Sequence, residues 1–106
     1  MSIFDLFRPA NINEGVEEYK NTKGAKLLDV RTADEYRGGH ISGSINIPVD
    51  RIQRIEKTVK NKTTPLFVHC YSGSRSRQAV SHLKRMGYTS VKNIGGISRF
   101  RGRLVR

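Results

Sequence analysis

Leu66-Phe67-Val68 is apolar on consecutive residues, so the strand it forms through His69 has no face to give to water. A strand buried on both faces needs cover above and below, which is the habit of parallel sheets between helices. The rest of the chain alternates in the way such a sheet requires. Asn11 or Asn13 can cap a helix, with Asn11 and Glu14 at capping-box spacing; Val16 and Tyr19 share one face of it, and Gly24 stops it. Leu27-Leu28-Asp29-Val30 reads as a second short strand within Lys26 to Arg31. Thr32 and Glu35 form another capping box, opening a short helix that Gly38-Gly39 breaks. Ile45-Asn46-Ile47 is a strand end that meets Pro48. Asp50 can cap a helix carrying Ile52, Ile55 and Val59, and Lys60 to Thr64 is a loop. From about Arg75 to Met86 a helix puts Ala79, Val80 and Leu83 on one stripe and ends at Gly87. Ser90 to Ile94 is a last strand, Gly95-Gly96 turns into Ile97 to Phe100, and a basic tail follows. The expected fold class is α/β, a single domain with a mainly parallel sheet flanked by helices.

The strand from Leu66 runs into the only cysteine of the 106 residues, Cys70. One Cys and three scattered His give neither a disulfide framework nor a Cys-rich zinc site, so no metal and no cofactor is expected. A lone thiol without a signal peptide suggests a reducing, cytoplasmic setting. The N-terminal MSIFDLFRP is too short an apolar stretch for a signal peptide or a membrane span. Residues 1–10 read as a lead-in that frays, with a small docking edge as the alternative.

In a parallel sheet the ligand site lies at the carboxyl ends of the strands, and Cys70 stands at one. Gly73 lets the chain turn, and Ser72, Ser74 and Ser76 are small enough to leave the backbone N–H groups open. Successive N–H groups and a helix N-terminus favour an anion, so the Cys70 thiol is expected to ionise below the ~8.5 of free cysteine. Arg75 and Arg77 are near enough to add full charge. The bland alternative is that Cys70 is a small buried hydrophobe.

The loop Cys-Tyr-Ser-Gly-Ser-Arg-Ser resembles the active-site loop of rhodanese-type sulfurtransferases. Leu28-Asp29-Val30-Arg31, Glu35-Tyr36, Gly39-His40-Ile41, Gly43-Ser44 and Ile45-Asn46-Ile47-Pro48 are similar to the N-terminal signature of that family. Gly87-Tyr88 and Gly95-Gly96-Ile97 are similar to its closing elements. The resemblance covers residues 11–102, with 103–106 left as a basic tail. It implies a rhodanese-like fold with about five strands, mainly parallel. It also implies that Cys70 is the nucleophile, and that Tyr71, Ser72, Gly73, Ser74, Arg75 and Ser76 cradle the substrate. Arg75 would then be the side-chain anion contact. Asp29 and Arg31, at the carboxyl end of their strand, would support the loop, with a strand-end turn residue as the alternative for Asp29. The implied reaction moves a sulfane sulfur from a thiosulfate-like oxyanion donor to a thiol or cyanide acceptor through a Cys70 persulfide.

Two other classes compete with this enzyme. One is a persulfide carrier in a protein sulfur relay, and the other is a non-catalytic interaction domain. Phosphatase and arsenate-reductase relatives place Arg six positions after Cys, where this chain has Ser76, with arginine one earlier at Arg75. That spacing argues against phosphoryl transfer. His69 and His40 read as structural, and His82 as a polar residue on a helix face. The formal net charge of +11 attracts anions: a sulfur-oxyanion donor or an acidic relay protein. Nucleic-acid binding is disfavoured, because Phe100 is the only aromatic residue near the basic tail.

Overall fold

The computed structural model describes residues 9–106. The readings of the N-terminal lead-in fall mostly on residues 1–8, outside the described part. Helix α1 spans Ile12–Lys20 and is capped by Asn11, whose side chain accepts from the N–H groups of Asn13 and Glu14. Strand β1 is Lys26–Asp29, α2 is Ala33–Gly38 and β2 is Ile45–Asn46. A 3-10 segment, Val49–Arg54, leads into the short α3, Ile55–Thr58. Strand β3 is Leu66–Cys70, α4 is Ser74–Arg85, β4 is Val91–Gly96, and a 3-10 turn covers Ile97–Arg99.

The sheet order is β2-β1-β3-β4, and every pair is parallel. All five residues of β3 are buried, as its unbroken apolar run requires. Alternation along β1 and β3 feeds two cores. Leu28, Val68 and Cys70 pack with Ile52, Ile55 and Leu83 on the side of α3 and α4. Leu27 and Phe67 pack with Ile12, Val16, Ile94 and Ile97 on the side of α1. Among the described residues no helix is long and apolar enough to cross a membrane.

Three local readings change. The described residues hold four strands rather than about five. One isolated antiparallel bridge joins His40 to Val105, so the basic tail is tied back at its end. The helix expected from Asp50 is instead a 3-10 segment kinked at Arg51, without a side-chain cap. β4 also runs on through the two glycines. Its pairing with β3 slips between Val68 and His69, so that Ile94 is the extra residue of a bulge. Asn93 stabilises the bulge by accepting from Gly95 N–H at 2.9 Å.

Candidate active site

Cys70 ends the central strand and is buried beneath its own loop. The turn back into α4 is made at Gly73, with φ +108°, where a Cβ would be strained. No side chain caps α4, which leaves the first N–H groups to face the sulfur. Gly73 N–H donates to Cys70 Sγ at 2.9 Å, and the Ser76 hydroxyl donates to it at 3.4 Å. Burial pushes the thiol up. The Ser76 hydroxyl and the N–H groups of Ser76, Gly73 and Ser72 outweigh it, so Cys70 ionises below the usual thiol value.

The supports of this loop come from α4 and β4. Ser76 Oγ lies 3.0 Å from Gly73 O and 2.8 Å from Asn93 Oδ1, and Asn93 Nδ2 lies 3.3 Å from Gly73 O. The β4 bulge therefore places an amide against the loop. Sequence reasoning missed Asn93, because a single Asn in a strand carries no signal until the bulge is seen. Gly96 lies against the other side of the loop. A Cβ there would meet Tyr71 O at 2.1 Å and Ser72 Cα at 2.6 Å, both backbone atoms that cannot swing aside. Gly96→Ala should cost about 1–3 kcal/mol. Urea unfolding checks this, and an unchanged midpoint would show that the loop yields freely.

Arg75 already holds one anion, the Glu35 carboxylate. Its Nη1 and Nη2 reach Glu35 Oε1 and Oε2 at 2.7 and 3.0 Å, a two-pronged pair that joins α4 to α2. The same Glu35 closes the capping box: Thr32 N–H donates to Oε1 at 3.0 Å, and Glu35 N–H donates to Thr32 Oγ1 at 3.2 Å. The box was legible in the sequence, but the second task of Glu35 was not. Arg75 pulls the Glu35 carboxyl from 4.5 down to about 2, against burial and with help from Thr32. A carboxyl depressed on folding stabilises above its unfolded value and loses that effect as pH falls through the folded one. Glu35→Gln should thus lower stability near neutral pH by about 1 kcal/mol, solvent screening included. The gap to the unaltered protein should close as pH falls from 4.5 towards 2. Urea titrations across that range check it.

Asp29 and Arg31 form a buried unit of their own. Arg31 Nε lies 3.0 Å from both Asp29 carboxylate oxygens, and Nη2 reaches Oδ2 at 2.7 Å and Gly39 O at 2.8 Å. Neither side chain hydrogen-bonds the Tyr71–Ser76 loop. Their link to it runs through His69, paired in register with Asp29. His69 Nδ1 meets Cys70 O at 3.1 Å, which makes Nδ1 the protonated nitrogen. Its Nε2 has no hydrogen bond and stands 3.8 Å from Asp29 Oδ2. Burial holds the imidazole below its usual range despite Asp29, so it is neutral and structural. His40 fixes a turn: its Nδ1 meets Tyr36 O at 2.8 Å, and its ring stacks on Tyr36. Of the loop residues, Ser72 and Ser74 are exposed, and Tyr71, at 54 % exposure, stands out into solvent.

A family model described as the rhodanese-like domain matches residues 13–103. The chain is 41% identical over 71 residues to thiosulfate sulfurtransferase PspE of Escherichia coli K12, covering 66% of this chain and 68% of that protein. It is 28% identical over 78 residues to the putative sulfur carrier protein YrkF of Bacillus subtilis, covering 74% of this chain and 42% of that one. A solved E. coli rhodanese with anions superposes with a TM-score of 0.72 at 36% identity, covering 77% of this chain and 98% of that structure.

Proposed function

The chain belongs to the rhodanese-like domain family, and on that premise we propose that it is a sulfurtransferase working through a persulfide on Cys70. The observation that carries this reading is the pair of donors on Cys70 Sγ, Gly73 N–H and the Ser76 hydroxyl, at the mouth of an uncapped helix. They favour a thiolate without a general base, as a preformed nucleophile requires. In the proposed cycle the thiolate attacks the outer sulfur of thiosulfate. A bond forms between the sulfurs, the donor's S–S bond breaks, and its electron pair leaves with sulfite. Cyanide or a thiolate then attacks the outer sulfur of the persulfide, and Cys70 departs as thiolate. No proton or outside electron is needed.

Tyr71 to Ser76 form the cradle in this proposal. Glu35 occupies only part of the Arg75 fork, which leaves its other N–H groups for a donor oxyanion. Asp29 and Arg31 act at one remove, through the backbone and His69. Residues 11–102 are the working unit, and a reducing compartment such as the cytoplasm suits the free thiol. Incubation with thiosulfate should add the mass of one sulfur atom to the intact protein, located on Cys70 by peptide mass spectrometry. An unmodified Cys70 would overturn the reading.

Likeness to a putative sulfur carrier keeps a second reading in view, in which a protein rather than thiosulfate loads Cys70. Turnover with thiosulfate and cyanide favours the enzyme. Loading by a protein donor with negligible thiosulfate turnover favours the carrier.

A further inference from the structure

We propose that the cleft beside the Cys70 loop is a docking site for an acidic segment of a protein that takes sulfur from Cys70. This rests on the persulfide reading above and names a partner class for the cleft that shares Ser72 and Gly73 with the Cys70 loop. The cleft, about 1020 Å³, begins at Ser72 and Gly73 of the loop and runs along Gly95 and Gly96 to the chain after β4. Arg77, Arg99 and Arg101 line it, and among the described residues no Asp or Glu does. Arg31, Arg37 and Arg75 each have a carboxylate partner, whereas these three have none among the described residues and are exposed.

The basic wall is held in place rather than trailing. Asn13 Nδ2 donates to Arg99 O at 3.0 Å, and Arg101 N–H donates to Asn13 Oδ1 at 2.9 Å, clamping the segment to α1. Ser98 N–H donates to Tyr71 O at 3.1 Å, tying the same segment to the Cys loop. The backbone that carries Arg99 and Arg101 is thus held beside the Cys loop, and Arg77 sits on α4, which follows that loop directly. Thiosulfate is far too small to fill the cleft, which matches or exceeds the ~300–1,000 Å³ usual for whole small ligands. An extended acidic chain can meet all three arginines along its length. Charge complementarity of this kind selects partners and speeds encounter.

The test uses two peptides of equal length with one cysteine each, one otherwise rich in glutamate and one in glutamine. Binding is read by fluorescence anisotropy on versions with serine in place of the cysteine. Transfer is read as the second-order rate from persulfide-loaded protein: the peptide thiolate attacks the outer sulfur, the S–S bond breaks, and Cys70 leaves as thiolate. The glutamate peptide should win in both assays, on the order of tenfold at low salt, as expected for a few solvent-exposed ion pairs together. Arg77→Glu/Arg99→Glu/Arg101→Glu should erase that ratio. Lys57→Glu/Lys84→Glu/Arg85→Glu, with the same change in net charge on exposed residues of α3 and α4, should keep it. Circular dichroism confirms that both variants fold. Equal behaviour of the two peptides, or an equal loss in both variants, would overturn the proposal. So would glutathione showing the same dependence on the three arginines, which would assign the cleft to small anionic thiols. If Cys70 never loads, the sulfur-transfer reading falls, and anisotropy alone still decides the docking site.

Discussion

Cys70→Ser is expected to leave the fold intact and to abolish sulfur loading completely. A serine hydroxyl fits beneath the loop and accepts from Gly73 N–H and the Ser76 hydroxyl as the sulfur does. The stability change should therefore stay below about 1 kcal/mol. An alcohol does not ionise in this range and forms no persulfide, so the mass gain with thiosulfate should vanish rather than decline. The unaltered protein supplies the complement. Its iodoacetamide reaction should reach half its limiting rate at a lower pH than free cysteine does, because the Ser76, Gly73 and Ser72 donors favour the thiolate. Residual loading in the serine variant would place the sulfur elsewhere. A half-rate pH equal to that of free cysteine would remove the reason for the loop's shape.

Asp29→Ala should be the most damaging change outside the loop, at about 3–5 kcal/mol. Arg31 is only 5% exposed and gives Asp29 its Nε, its Nη2 and its backbone N–H. Without the carboxylate a guanidinium is left buried, with Gly39 O as its remaining partner. Removing both charges together, Asp29→Leu with Arg31→Met, should cost clearly less, since no uncompensated ion then remains. Chemical unfolding of the two variants separates the cases. A loss under about 1 kcal/mol for Asp29→Ala would mean that water reaches the site and that the pair is not a structural unit.

These two outcomes bear on different parts of what the sequence revealed. The strand Leu66–Cys70, the glycine turn and the helix after it follow from local rules: consecutive apolar residues, freedom at positive φ, and apolar spacing along the helix. The Thr32–Glu35 box and the Asn11 cap are legible for the same reason, because each bond spans only a few residues. The bulge in β4 was not legible. Gly95 and Gly96 read equally well as a turn, and only pairing with β3 shows that the strand continues through them. The role of Asn93 follows from that bulge, so it was out of reach too. The extent of the helix after Asp50 was misjudged because its apolar spacing suits a 3-10 turn and a short helix about as well as one longer helix.

By itself the sequence determined the α/β class, a lone thiol at the end of a doubly buried strand, and the cradle of small residues around it. All of these depend on neighbours in the chain. The tertiary structure alone decided what the charges near Cys70 do. Arg75 and Glu35 are forty residues apart, and α2 has to meet α4 before one carboxylate can cap a helix and hold that arginine. Arg77, Arg99 and Arg101 likewise face a single cleft only because the chain after β4 is clamped to α1 and to the loop. Ion pairing acts through space over a few ångströms, so contacts of this kind leave little trace in the order of residues along the chain.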